Sequence, residues 1–337
     1  MQAVPFPELP DELVVLPAAP ASPELSRATA PTWVRAAPVG GHQRVGWPPK
    51  APQLPADRFF VDLAARTAVE ERITRQVRGW IDQACRRIGE CVRPHLGDAD
   101  AVLCGSLASG THIATVGWEV DIAVRAFSVR RGWDDEPHAV LDDIARWLKA
   151  GIDADVVRGQ RNVTIQSVGS VPVNVGVCWR SQEPNAEFRG SWTEGGDLCD
   201  VFVQPLAHRD LISARNASLG GDSSLLKLIR IVKHLNATWT KTRKQAPLSS
   251  FLVEVLALEV CRRPFTLAEG VTDYLRRSAK LVSGPVSHPL GPRKTLPFAR
   301  SREASALLAQ AADICEQSLF MTDGADASAQ LQRLIAL

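Results

Sequence analysis

Apolar residues recur at three- and four-residue steps from Asp57 to about Cys91: Phe60, Leu63, Ala64, Val69, Ile73, Val77, Trp80, Ile81, Ala84 and Ile88. That period predicts a long amphipathic helix, for which Asp57 is a suitable N-cap. The opposite side carries Glu70, Arg72, Arg75, Arg78, Arg86 and Arg87, a solvated face, and Pro94 and Gly97 close the element. The period then shortens to two. Residues 102–127 read as a strand, a Gly105-Ser106 turn, the start of a helix and a second strand. On that second strand Glu119 and Asp121 leave from one face, while Trp118, Val120 and Ile122 point into a core. Pro137 opens a shorter helix with Val140, Leu141, Ile144, Trp147 and Leu148 as its apolar stripe. Two β-rich runs follow, 162–168 and 171–178. In the second, Val171, Val173, Val175 and Val177 share one face, and Pro172, Asn174, Gly176 and Cys178 share the other.

Residues 202–216 read as irregular linker. Beyond them Leu225, Leu226, Leu228, Ile229, Ile231, Val232 and Leu235 predict an apolar helix, with Lys227, Arg230 and Lys233 on its polar faces. A second apolar helix is expected over 247–259, joined to the first by a short basic loop at 241–244. Residues 284–298, with four prolines, read as a loop, 301–319 as an amphipathic helix and 323–337 as a helical tail. About half of the chain's 23 prolines fall in residues 1–57. Proline at that density blocks helix and interior strand, so this stretch reads as an extended or disordered arm. Phe6, Leu13, Val14, Val15, Leu16, Trp33 and Trp47 are more than a solvated tail needs, which leaves open an arm that wraps the body or docks a partner.

With 337 residues the chain is long enough for two lobes with sizeable cores. A formal net charge of +2 speaks against a strongly basic nucleic-acid binder and leaves room for a local basic groove. Seven cysteines, an odd number, are scattered without a C-x-x-C pair. That pattern fits the reducing cytoplasm and excludes a disulfide framework or a structural zinc site. No secretory leader and no run of about 20 apolar residues is present, so a soluble cytoplasmic protein without a membrane span is expected.

The chemistry concentrates in VLCGSLASGTHIATVGWEVDIAVRAF. Gly105 permits a tight turn, and backbone N–H groups at such a turn are suited to phosphate. The Glu119/Asp121 pair opposite it is what metal-assisted nucleotidyl transfer uses, where two Mg²⁺ ions about 3.5–4 Å apart share carboxylates. A GS turn, a spacer containing GT, then [DE]-x-[DE] on a strand resembles the signature of the DNA polymerase β-like nucleotidyltransferases. Within that superfamily the chain looks most like the bacterial CD-NTases, relatives of cyclic GMP-AMP synthase and oligoadenylate synthase. LLKLIRIVKHLN followed by LSSFLVEVLALEV is similar to their second-lobe pair, a lysine-bearing helix and an S-[FY]-x-x-E helix.

The resemblance implies an α+β fold, with a mixed twisted sheet, a long spine helix and a helical second lobe. Residues 58–215 would form the catalytic core and 216–337 the lobe that closes over the nucleotide, with 1–57 outside it. It implies Glu119 and Asp121 as Mg²⁺ (or Mn²⁺) ligands, Gly105 and Ser106 on the β- and γ-phosphates, and Lys233 and Ser250 on the triphosphate, with Glu254 structural. The reaction implied joins NTPs, ATP and GTP among them, into a cyclic or linear oligonucleotide second messenger of an anti-phage system with effector or activator proteins. One position departs from the family pattern: the third carboxylate, expected on a V-D-V strand, is Asn174. Asn is nearly isosteric with Asp but neutral and unable to accept a proton. An engineered inactivating change, a native catalytically dead homologue, and replacement by Asp197 or Asp200 remain open as explanations. Two further functions are open beside the synthase. One is a terminal transferase acting on nucleic acid or protein, supported by the basic Arg243 and Lys244. The other is a non-catalytic nucleotide-binding protein.

Overall fold

The structure, a computed structural model, describes residues 4–7, 54–68, 71–113, 119–127, 137–159, 162–166, 171–180, 188–190, 192–194, 197–199, 205–220, 224–243, 248–287, 295–296 and 302–337. In chain order the strands are β1 (Val4–Pro5), β2 (Ala99–Cys104), β3 (Val120–Ala126), β4 (Ile152–Asp153), β5 (Asp155–Arg158), β6 (Val163–Gln166), β7 (Val173–Arg180), β8 (Phe188–Gly190), β9 (Trp192–Glu194), β10 (Asp197–Cys199), β11 (Val286–Ser287) and β12 (Thr295–Leu296). The helices are α1 (Pro55–Thr67), α2 (Glu71–Leu96), α3 (Gly105–Ser109), α4 (Pro137–Gly151), α5 (Pro205–Ser218), α6 (Ser224–Arg243), α7 (Ser250–Val260), α8 (Leu267–Leu281), α9 (Arg302–Leu319) and α10 (Gly324–Ile335).

A six-stranded sheet runs β2-β3-β7-β6-β5, with β8 on the far half of β7. It is mixed: β3 and β7 are parallel, and the other neighbours are antiparallel. One face of β3 and β7 is the apolar alternation Val120, Ile122, Val124 and Val173, Val175, Val177. It packs on Val77, Trp80, Ile81, Ala84, Ile88 and Val92 of α2 and on Val140, Leu141, Ile144 and Leu148 of α4. Each such side chain, fully buried, stabilises the lobe by about 1.5–3 kcal/mol. A second core joins Phe59, Phe60 and Leu63 of α1 to α6–α10, where Trp239 and Tyr274 are fully buried. The Trp239 indole N–H donates to the Leu334 carbonyl at 2.9 Å, fixing α10 on α6. Among the described residues no helix is long and apolar enough to cross a membrane.

The helix expected over 57–91 is two helices. Ala68 is extended (φ −69°, ψ 138°) after α1, and Val69 lies outside the described residues. The pattern is unbroken because both helices are amphipathic, yet α1 serves the helical core and α2 the sheet core. Asp57 is not the cap of its own helix, where Leu54 holds that place and Pro55 starts the first turn. Its carboxylate instead accepts the Ala268 N–H at 2.9 Å, in the first turn of α8. The expected linker over 202–216 holds α5, opened by Pro205. Its buried face combines Ile212 with a polar residue, His208, so the apolar period is masked. Lys241 to Arg243, expected in a loop, finish α6, and Lys244 lies outside the described residues. The proline-bearing loop over 284–298 contains the short β11–β12 ladder.

Of the proline-rich arm, 4–7 and 54–57 are described; 54–57 open α1 instead of extending the arm, and Val4 to Pro7 lie on the sheet lobe. Val4 and Pro5 pair parallel with Ile152 and Asp153. Phe6 is 4% exposed and meets the Trp80 ring edge-on at 6.2 Å, while the Trp80 indole donates to the Pro7 carbonyl at 2.8 Å. Replacing Phe6 by Ala removes this peg from the core. We expect it to destabilise the sheet lobe by about 3 kcal/mol, measured by urea unfolding followed through tryptophan fluorescence.

Candidate active site

Sheet register brings Cys104, Asp121, Asn174 and Thr164 into one row across β2, β3, β7 and β6. The row lies on the face opposite the apolar core, because side chains alternate along each strand. The Asn174 amide nitrogen lies 3.3 Å from Glu119 Oε2 and 3.3 Å from Asp121 Oδ1, so one N–H₂ group donates to both carboxylates. Asn174 Oδ1 accepts from the Thr164 hydroxyl at 3.1 Å. Burial pushes the Asp121 carboxyl up to about 6. The Asn174 hydrogen bond opposes that rise, and the Glu119 charge adds to it.

Gly105 sits against this row. Its φ is +66°, and a Cβ there would stand 2.1 Å from Asp121 Oδ2. Backbone conformation and space both demand glycine. The short α3 that follows is closed by Gly110 in the left-handed region, by the Thr111 N–H on the Ser106 carbonyl (2.9 Å) and by the Ser109 hydroxyl on the Gly105 carbonyl (3.0 Å).

Directly behind the turn lie four polar side chains from four elements: Thr111, His208 of α5, Lys233 of α6 and Glu254 of α7. None is more than 5% exposed. Lys233 Nζ is 2.6 Å from Glu254 Oε1 and donates to Thr111 Oγ1 at 3.1 Å. The Thr111 hydroxyl donates to the same carboxylate oxygen, and His208 Nε2 lies 2.8 Å from Glu254 Oε2. Burial by itself pushes the Glu254 carboxyl up, but the Lys233 charge and the His208 hydrogen bond together hold it down at about 2.

The structure therefore brings Glu119, Asp121 and Asn174 into direct contact, with Gly105 and Ser106 beside them. Lys233 reaches the turn through Thr111. Ser250 is exposed in the first turn of α7, one turn before Glu254, and Ser249 is the cap, accepting the Leu252 N–H at 3.2 Å. Asp197 belongs to the separate β9–β10 ribbon, and Asp200 and Trp118 lie outside the described residues. The sequence pattern assigns no role to Thr164, Thr111 or His208, and places Arg230 only on a polar helix face. Thr111 was already inside GSLASGT, and Arg230 is one helical turn before Lys233. The Arg230 guanidinium is half-buried, donates to the Leu226 carbonyl at 3.3 Å, and has no carboxylate partner among the described residues. Burial lowers the neighbouring His112 to about 4, and the Arg230 and Lys233 charges act in the same direction.

The two carboxylates are hard oxygen donors of the kind Mg²⁺ and Mn²⁺ prefer, and their donor set fits one such cation. It does not fit two, because the third place presents amide N–H groups rather than oxygen. Among the described residues no three His, Cys, Asp or Glu side chains gather to hold a metal.

Solved structures share this architecture. CdnG of Bradyrhizobium diazoefficiens in complex with GTP is 16% identical, with a TM-score of 0.63 over 84% of this chain and 97% of that one. CdnC of E. coli MS115-1 with ATP is 13% identical, with a TM-score of 0.62 over 83% and 98%. The Vibrio cholerae cyclic AMP-GMP synthase DncV, a prokaryotic cGAS homolog, is 12% identical, with a TM-score of 0.52 over 83% and 86%. No family model and no curated protein matches the chain. The chain thus has the α+β, polymerase β-like nucleotidyltransferase fold. More narrowly, it is the form of that fold seen in the CD-NTases, as the motif resemblance implied.

Two outcomes follow from this geometry. Gly105→Ala forces a left-handed alanine against Asp121. It is expected to destabilise by about 1–3 kcal/mol from backbone strain, read by thermal unfolding, and to displace Asp121 from Asn174. Glu254, whose carboxyl falls from an ordinary 4.5 to about 2, stabilises the native state fully above pH 4.5. That contribution disappears as pH falls from 4.5 through about 2, because the unfolded chain takes the proton first. Acid unfolding of Glu254→Gln should lack this component. The variant should also be about 3 kcal/mol less stable at neutral pH, since it leaves a buried ammonium without its counter-charge.

Proposed function

We propose that this chain is a cytoplasmic nucleotidyltransferase that takes NTPs, ATP and GTP first, and joins them into a cyclic or linear oligonucleotide messenger of bacterial anti-phage defence. The observation that carries the reading is the glycine turn packed against Asp121, with Glu119, just before β3, reaching the same Asn174 amide. The likeness in fold to nucleotide-bound CdnG and CdnC supports it.

In this reading Gly105 and Ser106 take the β- and γ-phosphates, and Ser250 approaches the triphosphate from the helical lobe. Lys233 uses two of its three N–H donors on Glu254 and Thr111, so its charge stands just behind the phosphate turn. Arg230 supplies a second cation. Glu119 and Asp121 hold the divalent cation, which when bound polarises phosphoryl oxygens and offsets developing charge. In this reading a ribose hydroxyl oxygen would bond to the α-phosphorus as the bond to the β-phosphate oxygen breaks, pyrophosphate would leave toward the glycine turn, and the hydroxyl proton would pass to solvent. A second reading, nucleotide binding without turnover, is favoured by one observation: Asn174 stands where the resemblance expects a carboxylate and points its N–H₂ at the other two.

Product formation from α-labelled ATP, GTP, CTP and UTP with Mg²⁺ or Mn²⁺ separates these readings. The synthase reading expects phosphatase-resistant product from the chain itself, lost by at least 100-fold in the Glu119→Ala/Asp121→Ala double variant. Product from Asn174→Asp alone would place the defect in one side chain. Bound nucleotide without product from any variant, with DNA and RNA also added, would leave the binding reading standing.

A further inference from the structure

The Asn174 amide makes two hydrogen bonds at once, to Glu119 Oε2 and Asp121 Oδ1, both at 3.3 Å. It thereby occupies one oxygen of each acid, which a second cation would need, and leaves the other oxygen of each for the first. Carboxylates only accept, so in the absence of such a cation only the amide N–H₂ can face them. Its partial positive charge offsets the repulsion between the two acids, as a cation would. The two acids set the orientation, and Thr164 seats the far side of the amide. The register places it directly opposite Asn174, and its hydroxyl meets the amide oxygen at 3.1 Å, on the side away from the carboxylates. A second cation at Glu119 Oε2 and Asp121 Oδ1 would meet an N–H₂ group rather than an oxygen, and turning the amide around would break both carboxylate bonds.

We propose that the Asn174–Thr164 pair makes this a one-cation site: the amide takes the place of the second divalent ion, and the single ion is the one that accompanies the nucleotide phosphates. The proposal rests on the nucleotide reading above and deepens it. Thr164 is a positioning residue, acting through Asn174, and the departure from the three-carboxylate pattern is a change of ligand number with its own supporting hydrogen bond. The pair also keeps the site assembled without metal. Putting a third carboxylate at 174 would restore a cation site and load the metal-free protein with three neighbouring acids.

The test is Mn²⁺ binding followed by electron paramagnetic resonance, with an ATP analogue carrying a methylene bridge between the α- and β-phosphorus atoms. One Mn²⁺ per chain is expected for the natural sequence and two for Asn174→Asp. Thr164→Val removes the bond that seats the amide, and should still bind one Mn²⁺ while lowering the metal-free melting temperature; Thr164→Ser should behave as the parent. A second readout needs no nucleotide. Without metal the melting temperature of Asn174→Asp should lie a few degrees below the parent, and Mn²⁺ should restore it. Two ions of equal affinity in parent and Asn174→Asp, or a metal-free Asn174→Asp as stable as the parent, would overturn the one-cation assignment while leaving nucleotide binding intact. No Mn²⁺ bound by any variant would overturn the assignment and the nucleotide reading together.

Discussion

The Lys233–Glu254 ion pair is the constraint on which the rest of the arrangement depends. Both groups are almost wholly buried, and removing two charges from water costs several kcal/mol for each. Their mutual attraction offsets that cost only with good geometry and with the remaining donors and acceptors satisfied. Thr111 and His208 supply those bonds. Such a pair adds little net stability compared with apolar side chains of the same volume, but it tolerates one arrangement of its partners. Here the partners are the end of the glycine turn and three helices, α5, α6 and α7. The pair therefore fixes the glycine turn relative to the helical lobe.

On the sheet side, the controlling element is β7. It is parallel to β3 along one edge, and antiparallel to β6 and then β8 along the other. Its valines are held in the core by α2 and α4, so a slip of one residue would bury Asn174 and expose Val173 and Val175. Register therefore brings Asn174 beside Asp121 and Thr164 beside Asn174. A Cβ-free residue at 105 lets the turn approach the same row. The face so made combines two acids, an amide donor, a hydroxyl and nearby backbone, with cationic side chains behind.

The two lobes are not consecutive stretches of sequence. α1 belongs to the helical core although it precedes the whole sheet, and α5 packs there as well, with Ile212 fully buried. Val4 to Pro7 reach the sheet lobe from a segment whose composition reads as solvated. In each case the local pattern was legible and its destination was not. Amphipathicity states that a face is apolar. It does not state which core will cover it.

The sequence by itself determined the two strands of the GSLASGT and E-x-D motif, the alternation that puts Asn174 on the polar face of its strand, and the α+β class. These rest on short periods and on backbone rules that act between near neighbours. The helix over 205–218 escaped it, because His208 is buried as a hydrogen-bonded polar group and breaks the apolar period. The role of Asp57 escaped it too, since that carboxylate accepts the N–H of Ala268, 211 positions away in the first turn of α8. Only the tertiary structure decided that Lys233 is tied to Glu254 and Thr111, and that Asn174 turns its N–H₂ toward both acids with Thr164 behind it. Those contacts join different elements, at separations from 10 to 122 positions, and hydrogen bonding depends on ångström distances that packing alone fixes.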